Sequence, residues 1–270
     1  MRTAVVGHVE WVEFARVERV PAPGAIIQAS DWWGEAAGGG GVASVQLARL
    51  AGSCTLYTAL GRDELGQASL DALTNLGVRV EAARHAGPQR RGFTFVDAGG
   101  ERTITIIGEK HVPHGSDPLR WEELARVDGV YFVSGDTAAA QAARQARVLV
   151  ATARSLPVLR DAGVELDALV RSAHDPSESY TRGDLEPHPR LAVATAGDGG
   201  GTWETADGRV GSYAAAALPG PTADAYGAGD SFAAGLTFAL ARGDAVEPAL
   251  AFAAECGAAA LTRRGAHGAD

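Results

Sequence analysis

Apolar residues fall in short runs that end on glycine, and between the runs they recur at helical spacing. Residues 3–7 (TAVVG) predict a buried strand. Residues 42–52 (VASVQLARLAG) set Val42, Val45, Leu47 and Leu50 at near-helical intervals before Gly52. The alternation continues, with strands predicted at 54–60, 129–134, 148–153, 167–172 and 191–197. A helix over 66–77 closes on Gly77, and stretches rich in Ala, Arg and Leu separate several of the strands. Strand and helix taking turns build βαβ units, hence a mostly parallel sheet covered on both faces.

Two segments break that rhythm. Residues 90–108 (RRGFTFVDAGGERTITIIG) alternate with period two on either side of DAGG, a β-hairpin pattern. Residues 9–33 are irregular, with PAPG followed by AIIQASDWW. Together they predict a small β-layer projecting from one α/β domain that spans 1–270, a lid made of roughly 9–33 and 88–109. Such a lid would cover the carboxyl ends of the parallel strands, where open α/β sheets bind ligands.

Composition narrows the function classes. The 270 residues are 46% hydrophobic and 21% charged, as in a globular domain large enough to bury a core. A formal net charge of −9 argues against nucleic acid or an anionic membrane as the main partner, while leaving room for an anion held in a local pocket. Cys54 and Cys256 are too few for a disulfide framework or a cysteine metal site. The N-terminus lacks the apolar h-region of a signal peptide, and no stretch approaches the roughly 18 apolar residues of a membrane span; the expected location is cytoplasmic. Lys110 is the single lysine. A Walker A loop needs a lysine beside its Ser/Thr, so nucleotide phosphates would have to be held by another route.

That route is suggested at 222–232, TADAYGAGDSF. Gly227, Ala228 and Gly229 open a helix running roughly from 229 to 242, with Phe232, Leu236 and Leu240 on one face and Gly243 as its stop. The first N–H groups of a helix have no internal partner and the macrodipole is positive there, so small residues let an anion approach. Asp230 lies in the first turn. Taken alone, the stretch is equally an ordinary acidic helix start. Further glycine turns stand at 38–41 (GGGG), 61–66 (GRDELG) and 195–201 (TAGDGGG), each weak by itself. None makes G-x-G-x-x-G at the first strand, so a dinucleotide fingerprint is missing. His111 and His114 show no third metal ligand nearby in sequence and read as surface residues. Trp32 and Trp33 would stack on a substrate or pack a dimer contact.

As an ordered set these motifs resemble the ribokinase-like, or PfkB-type, carbohydrate kinases. DAYGAGDSFAAGL (224–236) is similar to the family's C-terminal signature, with Ala225 in place of threonine; GGGGVASVQLARLAG, GRDELG, GERTI and TAGDGG resemble its other motifs in order. The resemblance implies a three-layer α/β/α fold with a β-sheet lid and ATP-dependent phosphorylation of a hydroxyl on a small molecule. It implies Asp230 as general base and the Gly227, Ala228 and Gly229 N–H groups as anion hole. Thr195, Gly197, Gly200 and Cys256 would bind nucleotide, and Gly38, Gly39, Gly40, Ser44 and Glu10 the substrate. Asp175 would serve magnesium through water, and Asp224 a monovalent cation, potassium in part of the family. A homodimer through the lid is also implied, with neither nucleic acid nor membrane as partner.

The pattern is broken at three places. Val42 stands where the family has a sugar-binding asparagine, and Val12 where it has an aspartate, flanked by Glu10 and Glu13. The N-x-x-E motif reads Ser172, Ala173, His174, Asp175. These changes leave open a sugar, a nucleoside or a vitamin-like alcohol as substrate, or a ligand-binding homologue without turnover.

Overall fold

The computed structural model describes residues 1–268. The chain runs β1 (Thr3–Val6), β2 (Glu10–Arg16), β3 (Asp31–Ala37), α1 (Gly38–Ala51), β4 (Cys54–Leu60), α2 (Glu64–Asn75), β5 (Val78–Arg84), β6 (Arg91–Val96), β7 (Arg102–Ile107) and β8 (Gly129–Phe132). It continues with α3 (Thr137–Ala143), β9 (Val148–Thr152), α4 (Leu156–Ala162), β10 (Ala168–Ser172), β11 (Leu191–Thr195), β12 (Gly201–Thr205), β13 (Val210–Tyr213), α5 (Ala228–Arg242) and α6 (Val246–Leu261).

Nine strands form the main sheet in the order β13-β12-β11-β10-β9-β8-β1-β4-β5. From β11 to β5 every pairing is parallel. Neighbouring residues of a strand face opposite layers. Val5, Tyr131, Val150 and Val193 join a core with α1, α5 and α6, whereas Ala4, Val6, Val130, Phe132 and Leu149 join one with α3 and α4. Burial on both faces explains why these strands read as continuous apolar runs. The β12–β13 hairpin extends the sheet antiparallel beyond β11. Its alternating, half-exposed residues and β5 were not anticipated from the apolar runs.

The second sheet has the order β3-β2-β6-β7. The 90–108 hairpin is present as antiparallel β6 and β7. β2 pairs antiparallel with β3 and parallel with β6, which joins the two distant segments into one layer. That layer reaches Ala37, four residues past the expected edge, and β3 runs directly into α1. Val12, Phe14, Trp33 and Val96 are buried beneath it with Tyr226 and Ala266.

Candidate active site

The side chains of interest lie just past the carboxyl ends of the parallel strands: His8 after β1, Ser134 after β8, Arg154 after β9, Ser172 ending β10 and Thr195 ending β11. Onto this edge α5 directs its N-terminus. Gly227 precedes it at φ 75°, and no side chain caps the helix, so its first N–H groups lack protein partners. A Cβ at Gly227 would lie 2.8 Å from Val42 Cγ1, whereas one at Gly229 would meet nothing within 4 Å. Gly229 therefore borders open space beside a positive helix end.

Asp230 sits half-buried in that first turn. Burial pushes its carboxyl up to about 6; Arg154 and Arg102 oppose the rise, and Glu178 and Glu10 add to it. The glycine run of α1 faces it. A Cβ at Gly39 would lie 3.1 Å from Asp230 Oδ1, and Gly40 donates its N–H to the His8 carbonyl at 3.0 Å. Gly38 donates to the Tyr226 hydroxyl at 3.3 Å. Gly38, Gly39 and Gly40 thus lie between the end of β1 and the start of α5, next to the aspartate. Ser44 does not join them. It is fully buried and gives its hydroxyl to the Gly41 carbonyl at 2.9 Å, within its own helix, which corrects its assignment to the substrate.

Beside the glycines lies a charged wall. Glu10 is buried and pairs with Arg90 Nε at 2.7 Å, with His8 Nε2 at 3.7 Å. Burial raises the Glu10 carboxyl even against Arg90 and Lys110. His8 bonds Ser134 Oγ through Nδ1 at 3.0 Å. Burial, reinforced by Lys110, Arg90 and Arg154, holds it well below the usual imidazole range, so it stays neutral. Lys110 lies three residues past β7 and is exposed, close enough to Arg90 and Arg154 to feel their charge. Burial and its cationic neighbours Arg90 and Arg154 lower it, Glu10 opposing, and it has no carboxylate within ion-pair distance among the described residues. Motif reading found neither Arg90 nor Lys110; the sole lysine, with no motif to explain it, was the one signal available.

Across the site Arg154 reaches Asp175 Oδ2 at 2.5 Å and Glu178 Oε1 at 2.7 Å. Glu178 is buried, accepts the Ser172 N–H at 2.5 Å, and is the carboxylate that acts on Asp230 from this side. Asp175 spends Oδ1 on Ser177. The N-x-x-E spacing recurs at Asp175-Pro176-Ser177-Glu178, three residues past Ser172–Asp175, so spacing alone does not single out Glu178. Two carboxylates offer hard oxygen donors of the kind magnesium takes through water, although Arg154 now spans them, so an ion there would take the place of its guanidinium.

At the end of β11, Thr195 bonds the Arg171 carbonyl at 3.3 Å, and Gly197 and Gly200 take positive φ in the turn that follows. A Cβ at Gly200 would fall 2.1 Å from the Tyr213 carbonyl. Cys256 lies elsewhere than expected: its buried thiol faces Gly235 in the α5–α6 seam, where burial pushes it up to about 11. Gly257 is the residue that meets the start of α5, its Cβ position 3.4 Å from the Ala228 carbonyl. Asp224 is fully buried, and its two oxygens accept the Tyr226 and Gly265 N–H groups at 2.8 and 3.2 Å. Arg16 and Arg102 take the flanking carbonyls of Ala223 and Ala225. With guanidinium groups on both flanking carbonyls, these residues do not fit a monovalent cation.

A family model described as pfkB family carbohydrate kinase matches residues 2–269. The chain belongs to this family. It is 30% identical over 293 residues to an ATP-dependent ribose-1-phosphate kinase of Halopiger xanaduensis, covering 100% of this chain and 95% of that one. Among solved structures, a putative ribokinase from Agrobacterium tumefaciens superposes with a TM-score of 0.81 at 22% identity, over 97% of this chain and 91% of that one. The Arabidopsis thaliana ribokinase complexed with ribose and ATP gives 0.73 at 18% identity, over 97% and 93%. This pfkB-family protein is therefore a carbohydrate kinase with the ribokinase fold, in a family that uses ATP. No helix among the described residues is long and apolar enough to cross a membrane.

Proposed function

We propose that this kinase moves the γ-phosphoryl group of ATP to a hydroxyl of a sugar or sugar-like molecule, with Asp230 as the base. The observation that carries the reading is Asp230 itself: a carboxyl lifted to about 6, in the first turn of an uncapped helix, against the glycines of a second helix. Poised near neutrality, it is ionised at pH 7 and able to take the hydroxyl proton. The N–H groups of the Gly227–Gly229 turn spread the charge that develops on the transferring group. Thr195, Gly197 and Gly200 hold the nucleotide turn, and Asp175 with Glu178 would hold magnesium, which neutralises phosphate charge when bound. Asp230→Asn is the direct test. ADP release stimulated by an acceptor should fall about 10²- to 10⁴-fold while nucleotide binding persists; equal turnover would refute the base role.

One observation favours an acceptor that already carries phosphate. Glu10 suits a sugar hydroxyl, but Arg90 and the unpaired Lys110 add positive charge beside it on the lid, and the Halopiger relative is named for ribose-1-phosphate. Lys110→Ala should raise KM for ribose-1-phosphate about tenfold or more and leave KM for ATP unchanged. Higher kcat/KM with ribose than with ribose-1-phosphate would reject the phosphorylated acceptor and keep the kinase.

A further inference from the structure

The root of the lid carries a cluster that the active site does not use. His85 directly follows β5, and residues 111–117 bring the chain back from β7 toward the main sheet. His85 Nε2 lies 3.0 and 3.1 Å from the two oxygens of Asp117, 32 residues away. The His114 ring centroid is 5.0 Å from that of His85. One ligand atom from each of His85, His114 and Asp117 lies within 4.8 Å of the others. A tight turn prepares the geometry, since the Asp117 carboxylate accepts the His114 N–H at 2.7 Å and the Asp117 N–H returns to the His114 carbonyl at 2.9 Å. His111 packs behind His85 and binds the Pro88 carbonyl through Nε2 at 2.8 Å; it is buried, against the surface placement expected for it.

A histidine–aspartate hydrogen bond accounts for His85 and Asp117 but not for His114. The His114 ring has no hydrogen-bond partner among the described residues, yet it is held against both. We infer that His85, His114 and Asp117 form a site for a divalent transition-metal ion of the zinc type, which ties the exit of β5 to the segment returning from the lid. Two imidazole nitrogens and one carboxylate oxygen are a zinc-type donor set, with a position left for water. Magnesium and calcium call for oxygen ligands throughout. Bonds of about 2.0–2.2 Å place neighbouring ligand atoms roughly 3.3 Å apart. His85 and Asp117 already stand at that spacing, and a ring nitrogen of the exposed His114 lies within 4.8 Å of both. Arg90 and Lys110 lie on the two segments so clamped, which links the site to the charged wall of the active site.

The test is calorimetric titration of metal-free full-length protein with Zn2+ alone, paired with metal analysis after desalting. One Zn2+ per chain is expected in the unaltered protein and in Asp230→Asn, with affinity at least tenfold weaker in His114→Ala. Co2+ in place of Zn2+ should give visible absorption bands that both His114→Ala and Asp117→Asn lose. Added Zn2+ should raise the melting temperature of the unaltered protein and not that of His114→Ala. Substoichiometric Zn2+, or equal affinity in unaltered and His114→Ala proteins of matching metal-free stability, would overturn the site.

Discussion

The raised carboxyl of Asp230, the proposed base, comes at a cost to stability. A carboxyl lifted from 3.8 to about 6 binds its proton more readily folded than unfolded, so stability falls as pH rises from about 4 to 6, and the loss then persists at higher pH. Asp230→Asn removes it. The variant should melt higher than the unaltered protein at pH 8, by an amount equivalent to about 1–3 kcal/mol, with the gap closing at pH 4. Turnover has the opposite sign: kcat/KM should decline below about pH 6 as the base takes up its proton. A pH–rate profile flat from 5 to 8 would detach Asp230 from proton transfer.

At the scale of one element, the α5 N-terminus separates two uses of glycine. Gly227 is at φ 75° with Val42 Cγ1 2.8 Å from its Cβ position, so Gly227→Ala should cost about 1–3 kcal/mol in denaturant unfolding. Gly229 is helical and faces open space. Gly229→Ala should hold or slightly raise stability, yet its methyl group would intrude on the proposed path of the phosphate, and kcat should drop more than tenfold. If stability falls equally in both, the open space beside Gly229 has no ligand-specific role. This element was legible in the sequence because its apolar face, its small residues and its stop are all local. Other positions were not. Ser44 and Cys256 carry polar atoms inside motif segments, but a hydroxyl bonded to its own helix and a thiol in a helix seam depend on side-chain direction, which motif spacing does not encode. Glu178 was hidden by a neighbouring carboxylate with the same spacing. The parallel β2–β6 pairing and the His85–His114–Asp117 cluster join segments far apart in the chain, and local periodicity says nothing about such contacts.

For the molecule as a whole, the lid presents the least finished surface. All six residues of β7 are exposed, including Ile104, Ile106 and Ile107, and Trp32 on β3 is 64% exposed. An apolar edge strand of this kind invites pairing, which supports a homodimer through the lid. Light scattering should report a dimer for the unaltered chain, and Ile106→Asp should shift it toward monomer without lowering its melting temperature. A monomer at all concentrations would leave the apolar strand to another use.

Lys110 has a consequence outside catalysis. Apart from the chain's own N-terminus it is the single amine in the protein, its surroundings lower its pKa from that of an ordinary lysine, and both thiols are buried. An acylating dye at mildly alkaline pH thus has one side chain to find, and it stands on the lid three residues past β7. The protein carries a ready-made attachment point for an optical reporter on the lid, with no engineered cysteine required.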